Sequence, residues 1–181
     1  MGERISGFAV KIARWRPWAG RVYLIAAAVL GRGSGRWFAA GLAAALTGEL
    51  FRTWAAGTIR KNQQLAQTGP YQRCRHPLYL GSLLVAAGIA LAAQHLLIWV
   101  LLVVCFPLFY GAAISCEERF LRAAFGDSYE QYRARTPLLL PFGRGGTAGS
   151  FSWGCVRRNE EFVNWASTAA VFLLIGLRGL R

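Results

Sequence analysis

The sequence contains few of the residues that build metal sites and disulfide frameworks. It has four cysteines and two histidines in 181 residues, and no two cysteines have the spacing Cys-x-x-Cys. The histidines, His76 and His95, do not cluster with the cysteines. A zinc site needs clustered thiolate and imidazole ligands, so no metal is expected. The cysteines are expected to be small packing residues without disulfides.

Acidic residues are also scarce. Eight Asp and Glu stand against 21 Lys and Arg, which gives a formal net charge of +13. A basic chain often binds nucleic acid, but here the basic residues lie mostly between apolar runs, and 55% of the sequence is hydrophobic. That layout argues against nucleic acid and favours an anionic membrane surface. The expected partner is therefore the lipid bilayer.

Five apolar segments lie along the chain, separated by more polar connections. They are roughly 17–31, 37–57, 78–93, 96–115 and 162–177. A transmembrane helix needs about 20 apolar residues, so the first segment is the weakest. The sequence therefore predicts an all-α fold, a polytopic membrane protein with about five transmembrane helices over residues 17–181. Only Gln94 and His95 separate the third and fourth segments, which predicts a tight helical hairpin.

The N-terminal residues 1–16 are expected to lie in the membrane interface. Ile5, Phe8, Ile12 and Trp15 share one helical face, as in amphipathic helices that lie on a bilayer. A cleaved signal peptide is the alternative, because the apolar stretch that follows fits the central region of such a peptide.

Lysines and arginines are divided unequally between the two sides of the predicted membrane. Most precede the first segment or lie in the second and fourth connections: Arg4, Lys11, Arg14, Arg16, Arg21, Arg60, Lys61, Arg73, Arg75, Arg119, Arg122, Arg133, Arg135, Arg144, Arg157 and Arg158. The opposite side holds Arg32, Arg36, Arg178 and Arg181. The positive-inside rule places the first group in the cytoplasm of a multi-pass protein.

The second connection contains an unusual stretch, Gly69-Pro-Tyr-Gln-Arg-Cys-Arg-His-Pro-Leu-Tyr-Leu-Gly81. Pro77 has no backbone N–H and keeps His76 out of a helical conformation, so the imidazole is expected to project at the start of the third segment. Arg73 and Arg75 equally fit the role of lipid-headgroup anchors. A basic, aromatic element at a membrane edge is a candidate site for a polar ligand.

Two adjacent carboxylates, Glu117 and Glu118, follow the fourth segment on the same predicted cytoplasmic face. Glu118 and Arg122 are four residues apart and would form an ordinary surface pair on a helix. The functional alternative is that one carboxylate binds the amine or the ribose hydroxyls of a cofactor. Residues 117–133 are expected to be helical, and the prolines that follow are expected to end this helix.

Glu49 and Arg52 lie within the second apolar segment and share one helical face. A lone charge at the centre of a membrane costs about 2.5–3.5 kcal/mol on insertion scales. Pairing of the two side chains would reduce that cost. Alternatively, Arg52 would steer an anionic group of a substrate, so both residues are substrate-site candidates.

The order and spacing of several motifs resemble the isoprenylcysteine carboxyl methyltransferase and phospholipid N-methyltransferase superfamily over about 41–141. The motifs are Gly48-Glu-Leu-Phe-Arg-Thr-Trp-Ala-Ala-Gly57, Gly69-Pro-Tyr, Arg75-His-Pro-Leu-Tyr-Leu-Gly81, Glu117-Glu-x-x-Leu121, Phe125-Gly-x-x-Tyr129-x-x-Tyr132, Pro137 and Pro141. The sequence Asn159-Glu-Glu161 before an apolar helix is also similar to bacterial members.

The resemblance implies a membrane methyltransferase that uses S-adenosylmethionine, with a cofactor-site core at about 48–141. The implied cofactor-binding residues are Gly69, Tyr71, Arg75, His76, Pro77, Tyr79, Gly81, Glu117 and Glu118. Arg75, His76 and Glu118 are the implied catalytic residues. The implied acceptor is lipophilic, and an isoprenylcysteine-type carboxylate, a phospholipid amine and a thiol all remain open.

Two alternatives come from other functional classes. A membrane sterol-type reductase shares an Arg-His-Pro-x-Tyr-like element and would use NADPH, but this chain is short for one. A non-enzymatic membrane scaffold would need its basic loops only for topology. Binding of S-adenosylmethionine, of NADPH or of neither distinguishes the three.

Overall fold

The structure, a computed structural model, describes residues 2–60, 64–143 and 149–180. Its helices are α1 (Gly2–Leu30), α2 (Gly35–Thr58), α3 (Pro77–Ala93), α4 (Leu96–Cys105), α5 (Gly111–Arg135), α6 (Trp153–Arg158) and α7 (Glu161–Gly179). A 3₁₀ turn (Gly69–Gln72) precedes α3, and a π-helical turn (Phe106–Tyr110) joins α4 to α5. No strand occurs in these ranges, so the all-α prediction is confirmed for them.

Several residues used in the sequence predictions lie outside the described part of the chain. They are Lys61, Arg144 and Arg181, together with the side chains of Arg4, Ile5 and Phe8.

The first helix contains a proline in its interior. Residues 1–16 were expected to form an interfacial helix that leads into the first apolar segment, and α1 runs without a break through Pro17 from Gly2 to Leu30. A proline removes only one hydrogen bond from a helix interior, and the alanines and arginines around it are good helix formers. The residues expected in the interface and the first apolar segment are therefore one continuous helix.

The two helices α2 and α3 pack closely along a row of small residues. A Cβ atom on Gly48 would lie 2.7 Å from the carbonyl oxygen of Gly81, and Gly41 faces Gly88 one heptad further along. Small residues let two helix backbones approach closely, as is common between helices in membranes. This contact fixes the start of α3, which carries the Arg-His-Pro element, against α2.

A buried apolar core lies where α1, α2, α3, α4 and α7 meet. It includes Tyr23, Ala45, Ile89, Ile98 and Ile175. The Tyr23 hydroxyl donates a 2.7 Å hydrogen bond to the carbonyl oxygen of Ala86, which ties α1 to α3. This core holds these five helices together.

The predicted hairpin between the third and fourth apolar segments is confirmed. Gln94 ends α3 in the left-handed conformation, with a φ of 51°, and α4 begins two residues later. The Gln94 side-chain amide donates to the carbonyl oxygen of Ser34, so the hairpin also contacts the connection between α1 and α2.

The helix that carries the two adjacent carboxylates is longer than predicted at its N-terminal end. It is continuous with α4 through the π-helical turn, bends at Gly126 (φ 49°, ψ −125°) and ends at Arg135. Thr136 is extended and Pro137 follows it, which agrees with the predicted stop.

Two helices of the described residues are long and apolar enough to cross a membrane. They are Leu96–Arg135, which combines α4, the π-helical turn and α5, and Glu161–Gly179. The helix Pro77–Ala93 is apolar but shorter. These helices agree with a membrane protein, and the expectation of five spans stays a prediction.

Candidate active site

The Arg-His-Pro element is a tight loop that the sequence determines locally. Gly69 has a φ of 59°, which glycine adopts without strain, and Pro70 begins the 3₁₀ turn. His76 is the N-cap of α3 with a non-helical φ of −124°, as expected for a residue before proline. The predicted projection of His76 from the start of the third segment therefore has a clear conformational basis.

The segment after α5 holds this loop in place through its backbone. The Arg75 N–H donates to the carbonyl oxygen of Pro137 at 2.9 Å, and the His76 N–H donates to that of Leu138 at 3.2 Å. Pro137 belongs to the motif pattern, but nothing in the sequence indicated these contacts. They connect the end of α5 directly to the start of α3.

The loop and the adjacent carboxylates of α5 meet in one group of charged side chains, the motif cluster: Arg75, His76, Glu117 and Glu118. Arg75 Nη1 lies 2.6 Å from Glu118 Oε1. The imidazole lies between the two carboxylates, with Nδ1 3.6 Å from Glu117 Oε2 and Nε2 3.5 Å from Glu118 Oε1. The two motifs that the sequence placed on one face are therefore in direct contact.

Two of the simpler interpretations of these residues are wrong. Glu118 does not pair with Arg122, since Arg122 Nε lies 2.9 Å from Glu130 Oε1 instead. Arg75 is no exposed headgroup anchor, because its side chain is only 11% exposed and points to Glu118. Both interpretations rested on neighbours along the helix or on the membrane surface. They did not include the contact between α5 and the loop before α3.

Tyrosines surround the motif cluster. The ring of Tyr79 stacks on His76 with the ring centroids 5.6 Å apart. The Tyr132 hydroxyl donates a 2.7 Å hydrogen bond to the carbonyl oxygen of Tyr71, and Tyr129 is fully buried. Burial, reinforced by the negative charge of Glu117, raises the pKa of Tyr71, so its hydroxyl stays a hydrogen-bond donor. Two of these rings, Tyr71 and Tyr132, also line a cavity beside the cluster.

A cavity of about 180 Å³ lies beside the cluster. Tyr71, Arg75 and Glu117 line it together with apolar and aromatic side chains, namely Ile59, Leu65, Ala66, Phe120, Leu121, Phe125 and Tyr132, and with Gln64. The Tyr71 hydroxyl is buried and has no hydrogen-bond partner among the described residues. The cavity thus combines aromatic walls with a free donor and a carboxylate.

The predicted glycines serve the backbone rather than the cavity wall. A Cβ atom on Gly69 would lie 3.3 Å from the Thr58 side chain. One on Gly81 would meet the Arg52 side chain and lie 2.9 Å from the Gly48 carbonyl oxygen. Pro77 is buried at the start of α3. Cys74, between the two arginines, is buried, and burial raises the pKa of its thiol to about 12, which suits a packing residue.

The two substrate-site candidates, Glu49 and Arg52, do not join the motif cluster. Arg52 forms a bidentate pair with Glu161 of α7, at 3.1 Å from Nε to Oε2 and 3.0 Å from Nη2 to Oε1. Its third nitrogen donates to Ser82 of α3. Glu49 Oε1 accepts a 2.7 Å hydrogen bond from Thr168. The suggested Glu49–Arg52 pair is therefore replaced by a set of contacts here called the interhelix network: Glu49, Arg52, Ser82, Glu161 and Thr168.

Comparison with known protein families identifies the group to which these motifs belong. The family model for phospholipid methyltransferases matches residues 24–128. The chain belongs to this family. The match includes α2, α3 and both halves of the motif cluster, and it confirms the resemblance drawn from the sequence.

Three relatives of this family member are named as one metal-resistance protein and two methyltransferases. A cobalt-zinc-cadmium resistance protein of Cupriavidus metallidurans is 41% identical over 92 residues, 50% of this chain and 42% of that protein. A protein-S-isoprenylcysteine O-methyltransferase of Schizosaccharomyces pombe is 33% identical over 94 residues, 52% and 40% of the two chains. Methanethiol S-methyltransferase 2 of Bradyrhizobium diazoefficiens is 44% identical over 86 residues, 47% and 32%.

The aligned regions cover less than half of the length of these three relatives. No solved structure matches the chain. Three features of this phospholipid methyltransferase family member lie outside the matched residues 24–128: the first part of α1, the Thr136–Pro141 segment and α7 with Glu161.

Proposed function

We propose that the protein is an integral-membrane methyltransferase that transfers a methyl group from S-adenosylmethionine to a lipophilic acceptor. The observation that carries the proposal is the contact of Arg75 and His76 with Glu118 and Glu117. Two motifs 41 residues apart, on different helices, form one polar cluster beside a cavity. Family membership supports the same reaction class.

The residues at the cavity suit S-adenosylmethionine. The cofactor is a cation with an aromatic base, and carboxylates bind cations while aromatic walls stack on bases. Glu117 supplies the carboxylate, and Tyr71, Phe120, Phe125 and Tyr132 supply the aromatic walls. The buried Tyr71 hydroxyl and Arg75 Nε have no hydrogen-bond partner among the described residues, which is typical of groups that bind a ligand.

Bound S-adenosylmethionine supplies an electrophilic methyl group for transfer to a nucleophile. The protein contributes position and exclusion of water, because its cluster lies among buried aromatic rings. Arg75 fixes Glu118, and the stacked Tyr79 fixes the His76 ring. A carboxylate or thiolate acceptor needs no base. An amine acceptor must first lose a proton, and His76, held between two carboxylates, is the candidate base.

An apolar groove of about 380 Å³ on the α2 and α3 side supports a lipophilic acceptor. Its lining is Thr47, Leu50, Phe51, Trp54, Leu80, Leu84 and Pro141. Pro141 is three residues from Leu138, whose carbonyl oxygen accepts from the His76 N–H, so the groove and the cluster both contact the segment after α5. A lipophilic acceptor would enter here from the bilayer. The methyltransferase relatives act on isoprenylcysteine or on methanethiol by their names, so carboxylate and thiol acceptors should be screened first, then phospholipid amines.

The proposed topology is multi-pass, with about five membrane-crossing helices and the cofactor site on the cytoplasmic face. The distribution of lysine and arginine supports this orientation. The proposed catalytic core is about 48–141, within a membrane domain of 17–181. A cysteine-accessibility scan tests the orientation: Ser128→Cys, at an exposed position of α5 and in a variant whose four native cysteines are replaced by alanine, should react only with reagents added from the cytoplasmic side.

The direct test is calorimetric titration of detergent-purified protein with S-adenosylhomocysteine, and with NADPH in parallel. Saturable binding of S-adenosylhomocysteine alone is the expected result, and labelled methyl transfer to the candidate acceptors would follow. Binding of NADPH alone would favour the reductase. A folded sample that binds neither would favour the scaffold.

A further inference from the structure

Arg16 of α1 reaches the motif cluster although it belongs to no motif. Its guanidinium carbon lies 5.3 Å from the centroid of the Tyr79 ring and 5.7 Å from that of Tyr110. Arginine over aromatic faces is held by electrostatic attraction to the rings. From the sequence, Arg16 is one of the basic residues that set topology, and it lies before the family match at residues 24–128.

The cation of Arg16 has no ion pair among the described residues. The arginines that do form ion pairs there are Arg52, Arg75, Arg122 and Arg133. Arg16 does interact electrostatically with Glu117 and with Tyr79. It is thus a positioned positive charge whose donors are not used by a protein carboxylate.

Glu117 is the matching negative charge. Its side chain is 39% exposed, and its nearest basic group is the His76 ring at 3.6 Å. Glu117 also lines the 180 Å³ cavity, whereas Arg16 is not part of the lining and lies over the rings of Tyr79 and Tyr110. Tyr79 also stacks on His76, which contacts Glu117, and the charge of Arg16 acts on Glu117. The two opposite charges therefore belong to one group of side chains beside the candidate cofactor cavity.

We propose that Arg16 and Glu117 bind the two charges of an α-amino acid group. Arg16 takes the carboxylate, since its planar guanidinium can donate two parallel hydrogen bonds, and Glu117 takes the ammonium. The inference rests on the proposed function, because the methionine end of S-adenosylmethionine is such a group. It assigns Arg16, from outside the family match, as a cofactor-binding residue.

The size of the cavity indicates that only part of the cofactor would lie inside it. Its 180 Å³ is below the roughly 300 Å³ at the lower end of small-molecule sites, so a whole cofactor would reach beyond it. With the base among the aromatic walls, the remaining part of the ligand would pass Glu117 and meet Arg16. The stacking of Tyr79 on His76 and under Arg16 would couple this end to the catalytic residues.

The test uses three ligands that differ only at the amino acid end. S-adenosylhomocysteine has both charges, S-adenosyl-3-thiopropylamine keeps the ammonium but lacks the carboxylate, and methylthioadenosine lacks both. Each is titrated by calorimetry into the full-length protein and into Arg16→Gln. The matched control is Arg21→Gln, because Arg21 lies on the same helix and over an aromatic ring, that of Trp18, at 4.8 Å.

Arg16→Gln is expected to weaken S-adenosylhomocysteine binding about 10- to 100-fold, the usual range for hydrogen bonds to a charged group. It should leave the affinity for the two ligands without a carboxylate unchanged. Arg21→Gln should change none of the three. Arg16→Lys, which keeps the charge but not the planar fork, should recover part of the loss.

Two results would overturn the assignment. Equal affinity of Arg16→Gln and the unchanged protein for S-adenosylhomocysteine would leave Arg16 with a lipid or topological role. Equal weakening of all three ligands would make it a purely structural residue. If the unchanged protein binds none of the three, the proposed methyltransferase function itself fails, which is distinct from both results.

Discussion

The molecule contains two groups of charged side chains whose hydrogen bonding differs sharply. In the interhelix network, Arg52 uses three nitrogens on Glu161 and Ser82, so that its hydrogen bonds are largely satisfied. In the motif cluster, Arg75 Nε, His76 Nε2 and Glu118 Oε1 are buried without an aligned hydrogen bond among the described residues. The first arrangement is typical of structural linkage, and the second is typical of a site that binds a ligand.

This difference predicts that the two groups respond oppositely to mutation. Removing a charge from the interhelix network should lower stability more than ligand affinity. Removing one from the motif cluster should lower ligand affinity more than stability. The contrast is weakest at Glu49 Oε2. Among the described residues, this is the one buried side-chain atom of the interhelix network without a hydrogen-bond partner.

The largest expected effect is that of Arg52→Leu. It leaves Glu161, which is only 3% exposed, as a buried carboxylate without its partner. Breaking a buried pair in this way costs about 3–5 kcal/mol of unfolding free energy. Denaturant or thermal unfolding in detergent measures the loss. The double variant Arg52→Leu with Glu161→Leu should recover most of it, and a single variant as stable as the unchanged protein would remove the structural role.

Gly81→Ala tests whether the two groups are independent. The added methyl would meet the Arg52 side chain and the Gly48 carbonyl oxygen, and overpacking of this kind costs about 1–3 kcal/mol. Because Gly81 follows the Arg-His-Pro element, ligand affinity should fall as well. Gly20→Ala is the control, since a Cβ atom there meets nothing within 4 Å. Full stability with unchanged affinity would show that the helix contact adapts without strain.

Glu118→Gln should separate binding from stability. The loss of its charge removes the pair with Arg75 and is expected to weaken S-adenosylhomocysteine about 10-fold or more in calorimetry, with the protein still folded. His76→Ala should weaken it in the same direction. Glu130→Gln is the control, because Glu130 is on the same helix and also pairs with an arginine but is half exposed. Unchanged affinity in both site variants would reject the site assignment.

The smallest expected effect is that of Tyr132→Phe. It removes the hydrogen bond to the Tyr71 carbonyl oxygen and should cost about 0.5–1.5 kcal/mol of unfolding free energy. A small loss of ligand affinity should accompany it, since both tyrosines line the cavity. A loss of affinity without any loss of stability would instead place the Tyr132 hydroxyl in direct contact with the ligand.

The sequence predicted the helices well wherever apolar runs and breakers determine them. The third segment, expected at about 78–93, is the helix Pro77–Ala93, and the prolines after Arg135 end α5 as expected. In α1 the interfacial residues and the first apolar segment, described separately in the sequence, form one continuous helix. Local patterns decide local structure, so these features could be found without coordinates.

The contacts between residues far apart in the sequence were harder to predict. The predicted topology put the Arg-His-Pro element and the two glutamates on one membrane face, and in the structure they are in contact. Arg52 and Glu161 are separated by 109 positions, and no spacing rule connects them. Arg16 was similarly hidden, because a basic residue before a membrane segment already has a sufficient explanation in topology.

The π-helical turn Phe106–Tyr110 has a consequence for the direction of the residues that follow it. Such a turn accommodates one residue more than an α-helical turn, and successive residues of an α-helix are rotated by about 100° around its axis. The direction in which Glu117 and Glu118 point around the helix axis therefore depends on the extra residue of the π-helical turn, seven or more positions earlier. A single deletion in this turn would swing both carboxylates away from Arg75 while every residue that touches them stays the same.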